Sequence, residues 1–102
     1  MNKETTDRLA ARFVEELDEI AASAQRFAAE VAATEEAATC AEDITQRCHH
    51  LRHEIWTEGV TDWQPLIPIH ALSHELCDLR AENYPAYIQM IRARNRERFP
   101  AE

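Results

Sequence analysis

Histidine pairs are the residues of this sequence with the clearest potential for chemistry. The segments HHLRHEIW, from residue 49, and HALSHELC, from residue 70, each hold two histidines four residues apart. On a helix such residues lie one above the other, so two pairs on neighbouring helices supply four nitrogen ligands for a tetrahedral zinc ion, with nickel as a second candidate. The candidate metal ligands are His49, His53, His70, His74 and Cys77.

The position of these histidines around their helices argues against a shared ion. Cys48, Leu51 and Ile55 define the apolar stripe of their helix, and at about 100° per residue the histidines fall on its flanks or back. Glu54 and Glu75 follow the second histidine of each pair, so the H-E-x-x-H order of zinc proteases is absent, and we expect both to point outward with no role as the base of a metal-bound water. We therefore favour partly buried bundle histidines bonded to carboxylates or carbonyls over a metal site.

Other catalytic signatures are missing from the sequence. A single glycine, Gly59, excludes a glycine-rich phosphate loop, and no Gly-x-Ser-x-Gly segment supplies a nucleophile. Cys48 falls in the apolar stripe and is expected to be buried, whereas Cys77 has His74 one turn before it and is the better candidate for a reactive thiol. The sequence therefore indicates a protein that is not an enzyme and has no cofactor, with zinc as the alternative.

Acidic residues dominate the charge of the chain. Nineteen Asp and Glu stand against eleven Lys and Arg, a net charge of −8, and residues 1–58 hold thirteen of these acids but six of the bases. Such a balance disfavours direct binding to nucleic acid or to an anionic membrane and favours a basic protein surface. Glu15, Asp18 and Glu19, on the polar side of the first helix, are candidate docking residues, the alternative being a solvated face.

Aromatic residues near the main loop and the last helix are further candidates for partner binding, because aromatic side chains often supply much of the energy of an interface. These candidates are Trp56, Trp63, Tyr84 and Tyr87. Packing within the hairpin is the simpler explanation for them. The C-terminal segment RARNRERF places four arginines near a helix end, where they complement the helix dipole or pair with the acidic first half.

The spacing of apolar residues predicts four helices and no strand. One glycine and four prolines leave little to interrupt a helix. We expect a first helix at about residues 6–33, a second that is capped by Thr34 and ends at Gly59, and a third that Asp62 caps. Pro85 ends or kinks the third helix, with Asn83 or Tyr84 as the next cap, and a fourth helix runs over about residues 85–98.

These patterns together predict a single all-α domain, residues 1–102, built as a small bundle of antiparallel hairpins. We expect a homodimer, because the apolar faces exceed what one hairpin buries. Three unpaired cysteines and the lack of an apolar leader or membrane span favour the cytoplasm. The predicted function is a non-catalytic acidic protein-binding module, and by analogy an inhibitor or adaptor of a basic nucleic-acid-handling partner of the phage or plasmid type.

Overall fold

The computed structural model describes residues 2–32 and 34–98, without the side chains of Ala86, Tyr87 and Met90. Four α-helices account for all regular structure in this part of the chain, which confirms the all-α class. They are α1 (Lys3–Glu30), α2 (Glu35–Glu58), α3 (Leu66–Glu82) and α4 (Tyr84–Arg98). Among these described helices, none is both long enough and apolar enough to cross a membrane.

The first helix begins earlier than its apolar pattern predicts. The side-chain oxygen of Asn2 accepts a hydrogen bond from the Thr5 N–H at 2.8 Å, so α1 starts at Lys3 rather than near Thr6. Its buried stripe includes Phe13, Leu17 and Phe27, spaced so that one face of the helix meets the core. The helix ends at Glu30, and the predicted end at residue 33 lies outside the described residues.

The predicted break between the first two helices is confirmed by the cap of α2. The Thr34 hydroxyl accepts a hydrogen bond from the Ala37 N–H at 3.1 Å, and Glu35 and Glu36 lie in the first turn, where carboxylates complement the helix dipole. At the other end, the Gly59 N–H donates to the Ile55 carbonyl. Gly59 has a φ of +77°, which glycine adopts without strain.

The loop from residue 59 to residue 65 corrects one prediction. Asp62 does not cap α3: its carboxylate accepts from the Gln64 N–H at 2.9 Å in a local turn, and Pro65 stands at the cap position without a side-chain hydrogen bond. The Trp63 ring packs edge-on against Phe13, with 6.2 Å between ring centroids. This aromatic contact holds the loop against α1.

The junction of α3 and α4 follows from Pro85, as predicted. Without an N–H, Pro85 cannot continue the hydrogen-bond ladder of α3, and it lies instead in the first turn of α4. Asn83 closes α3, because its side-chain amide and its backbone N–H both donate to the Leu79 carbonyl. The structure therefore starts α4 at Tyr84, one residue before the predicted position.

The core lies where α3 packs on the antiparallel hairpin of α1 and α2. Leu17, Cys48 and Ile69, one from each helix, are almost completely buried at the centre of this contact. By contrast α4 packs little against the α1–α2 hairpin, and Arg94 Nη2 reaches α1 by donating to Glu30 Oε2 at 2.6 Å. One arginine of the basic tail thus pairs with an acid of the first half within the same chain.

Candidate protein-binding surfaces

All four histidines of the two pairs are exposed, and so is His50. The prediction of partly buried histidines is therefore wrong, because their positions off the apolar stripe place them in solvent rather than on the bundle wall. Among the residues that the structure describes, the one carboxylate contact of these histidines joins His50 Nε2 to Glu54 Oε1 at 3.4 Å. Within residues 2–32 and 34–98, no three His, Cys, Asp or Glu side chains are grouped as metal ligands.

The two histidine pairs lie on different sides of the molecule. Arg47 contacts Glu75 of α3, and His49, two residues later, points roughly 200° away around α2. His49 and His53 instead line a shallow hollow beside α1, together with Asp18, Arg52 and Trp56. Because α3 packs on the opposite flank of α2, its own histidines do not reach this hollow.

The acidic residues predicted on the first helix differ in their surroundings. Asp18 accepts a hydrogen bond from Arg52 Nε at 2.8 Å, so its charge is neutralised within the chain. Glu15 and Glu19 are exposed on the outer side of α1. A docking surface on α1 would therefore depend on these two glutamates and not on Asp18.

Four large apolar side chains are exposed in the described part of the chain, and three of them are among the predicted binding residues. Trp56 is 73% exposed, and Trp63 and Tyr84 are each 58% exposed. The side chain of Tyr87, the fourth predicted aromatic residue, lies outside the described part of the structure. Ile67, 73% exposed, was not predicted, although its position about 200° around the helix from Ile69 indicates that it points to solvent.

A groove between α2 and α3 combines an apolar floor with charged walls. Its larger section has a volume of about 510 Å³, and Leu51, Pro68, Ala71 and Leu72 supply the apolar lining. A second section of about 440 Å³ continues along the same two helices, past Ile44 and Leu79. We call these two sections together the acidic groove.

Carboxylates outnumber guanidinium groups along the acidic groove. The acids that line its two sections are Asp43, Glu54, Glu75, Asp78 and Glu82. Against them stands Arg47, whose Nη1 and Nη2 donate to Glu75 at 2.7 and 2.8 Å and whose Nε lies 3.0 Å from Asp43. In the part of the chain that the structure describes, Asp78 and Glu82 form no ion pair.

The ion pair at the middle of the groove shifts the protonation of both partners. Hydrogen bonding from Arg47 lowers the pKa of Glu75, and the bond to Glu75 raises the pKa of Arg47. Glu75 is exposed, as predicted, but its contact with Arg47, which joins α3 to α2, was not part of that prediction. Residues 47 and 75 are nearly equidistant in sequence from the loop between α2 and α3, so the antiparallel arrangement of these helices places them at nearly the same level.

The cysteines follow the predicted division between core and surface. Cys48 is fully buried, and this burial raises the pKa of its thiol to about 11. Cys40 and Cys77 are exposed, and all three thiols are free. A thiol with a raised pKa is a poor nucleophile at neutral pH, so Cys48 serves to pack the core.

The chain matches no protein-family model, no curated protein and no solved structure. The exposed apolar side chains and the acidic groove are therefore the features from which a function can be inferred. Trp56, Ile67 and Tyr84 lie outside the buried core of the described helices, so packing within that core does not explain them.

Proposed function

We propose that this protein is a non-catalytic protein-binding module whose acidic groove holds a basic amphipathic helix of its partner. The observation that carries the proposal is the apolar floor of the groove, flanked by five carboxylates and one guanidinium group. Helices commonly bind to other proteins by laying an apolar face into such a groove. A partner helix with arginines or lysines beside its apolar stripe has the complementary charge.

The dimensions of the groove suit a helix of moderate length. Its lining on α2 runs from Thr39 to Glu54, which at 1.5 Å per residue is about 22 Å, or roughly four turns. In the floor Leu72 is already buried, whereas Leu51 is only partly buried, so a partner side chain placed over Leu51 would cover its remaining apolar surface. Each 100 Å² of apolar surface that the partner buries contributes about 2.5 kcal/mol to the free energy of binding, before the costs of association are subtracted.

The charge of the groove suggests what its partner does. A basic amphipathic helix that fits here also has the charge to bind nucleic-acid phosphates, and it cannot do both at once. Occupation of the acidic groove would therefore inhibit a basic nucleic-acid-handling protein, or recruit it as an adaptor. We also propose that the chain works as a homodimer in the cytoplasm.

Charge reversal in the full chain tests this function. A fluorescein-labelled helical peptide, with leucines at positions i, i+3 and i+7 and arginines beside them, is titrated with protein and its anisotropy recorded. We expect Asp78→Lys combined with Glu82→Lys to weaken binding about tenfold or more, because both carboxylates line the groove. A peptide of the same composition in scrambled order is the control for non-specific attraction.

A matched variant separates the groove from the overall charge. Glu15→Lys combined with Glu19→Lys changes the net charge by the same amount on the outer side of α1. Binding that resists this change but falls with the groove variant supports the proposal. Equal losses in both variants, or no preference for the amphipathic peptide over the scrambled one, would overturn it.

A further inference from the structure

Trp56 stands on a face of the α1–α2 hairpin that no other described helix covers. Its indole is 73% exposed, although the neighbouring Ile55 is buried. Ala38, Thr45, His49 and Trp56 follow one another on α2 at steps of seven, four and seven residues, which places them along one flank of the helix. We call this flank, with the adjoining side of α1, the open face.

The open face has a hollow as well as a projection. A second depression of about 470 Å³ lies two turns or more along α2 from the hollow that Trp56 lines with His49 and His53. Its apolar lining comes from Ala28 and Ala29 of α1 and from Ala38 of α2. Methyl groups are too short to fill the space between the helices there. Gln25, Glu42, Thr45 and Gln46 complete its lining, and Thr45 is buried with its hydroxyl bonded to the Ala41 carbonyl.

We propose that the open face binds a second copy of this chain, with Trp56 of each copy inserted into the alanine-lined hollow of the other. This inference rests on the proposed homodimer and names its surface. An isologous dimer requires a face that carries both a projection and the matching depression. The open face has both, separated by the 14 residues from Glu42 to Trp56, or about 21 Å along α2.

The arrangement fixes the position of the two-fold axis. When the axis lies in the interface and is perpendicular to α2, the two α2 helices run antiparallel. A residue that precedes the midpoint of α2 in one chain then lies opposite the residue that follows the midpoint by the same number of positions in the other chain. Residue 49 is the midpoint between residues 42 and 56, so His49 of one chain faces His49 of the other chain across the axis. The four helices α1 and α2 of both chains then form a central bundle, with α3 on each outer side.

Charge also favours a second copy at the open face over the acidic groove. Two acidic grooves would repel each other in a symmetric contact. On the open face Asp18 is neutralised by Arg52, so Glu42 is the unpaired carboxylate among the side chains that line its two hollows. An approach between two such faces meets far less repulsion than the net charge of −8 implies.

Sedimentation equilibrium of full-length protein at micromolar concentration tests the assignment. We expect a dimer for the native chain, and a dissociation constant raised at least tenfold by Trp56→Ala or by Ala29→Glu, which fills the hollow with a charge. Ile67→Ala is the matched control, because Ile67 is also 73% exposed but lies on α3. Circular dichroism checks that each variant is folded.

Cross-linking locates the axis independently of any loss of stability. In a background with Cys40→Ser and Cys77→Ser, a short bismaleimide should link the introduced cysteines of two His49→Cys chains to each other. It should not link two Ala71→Cys chains, because Ala71 lies on the groove side. A monomeric native chain would overturn the homodimer itself. A dimer that resists both Trp56→Ala and Ala29→Glu, or that cross-links at residue 71, would overturn this surface alone and leave peptide binding by the groove as a separate result.

Discussion

Arg47 and Glu75 form a two-bond ion pair that joins α2 to α3, with nitrogen–oxygen distances of 2.7 and 2.8 Å. The pair crosses the acidic groove and fixes the level at which the two helices meet. Its side chains are 44% and 47% exposed, so water screens the attraction. The pair therefore contributes more to register than to overall stability.

Replacing Glu75 by Gln should cost about 0.5–1 kcal/mol in the free energy of unfolding, the upper range for an exposed pair with two hydrogen bonds. Urea denaturation followed by circular dichroism measures the loss. A double-mutant cycle with Arg47→Met isolates the coupling between the two side chains. Coupling near zero would show that the pair is not formed in solution.

The pH dependence of this contribution has a definite sign. Because Arg47 lowers the pKa of Glu75 in the folded state, the folded chain holds its proton less tightly than the unfolded chain. The stabilisation is then complete at neutral pH and is lost as the pH falls below about 4.3 and through the folded pKa. The difference in unfolding free energy between the native chain and Glu75→Gln should shrink over that interval, and a constant difference would contradict the pair.

Cys48 should be unreactive in the folded protein, because burial raises the pKa of its thiol to about 11. A disulfide reagent at pH 8 should modify Cys40 and Cys77 rapidly and Cys48 only after denaturant is added. Between about pH 8.5 and 11 the unfolded chain loses a proton that the folded chain retains, so stability should fall as the pH rises. Three equally fast thiols would show that the core around Cys48 opens readily.

Local signals explain how much of the fold the sequence predicts. Thr34 and Gly59 mark the ends of α2 through capping and a positive φ, and Pro85 separates α3 from α4, since each acts on the backbone next to it. Asp62 was misassigned because an Asp can accept a hydrogen bond from the residue two positions on as readily as it caps a helix. A helix end that depends on one side chain is therefore predictable only where that side chain has no alternative hydrogen bond to make.

The candidate surfaces were harder to predict, because they depend on which flanks of two helices meet. The helical wheel placed the histidines off the apolar stripe, but it did not show that Arg47 turns towards Glu75 while His49 turns towards α1. The acidic groove joins residues about 30 positions apart, and no pattern within one segment reveals such a pairing. The exposure of Trp56 follows from its place outside the stripe, whereas its relation to a distant hollow requires the assembled hairpin.

Zinc binding provides a test of how the histidine pairs are arranged. His49 and His53 are one turn apart on α2, whereas His74 lies on α3, which packs against the opposite flank of α2, so the described residues do not bring the two pairs together around one ion. Any affinity for zinc, measured by isothermal titration in buffer without chelator, should therefore be unchanged by His74→Ala. His53→Ala should remove whatever affinity the α2 pair provides. A tenfold loss of affinity on replacing His74 would show that the two pairs converge on one ion, and would favour a metal-binding protein over a protein-binding module.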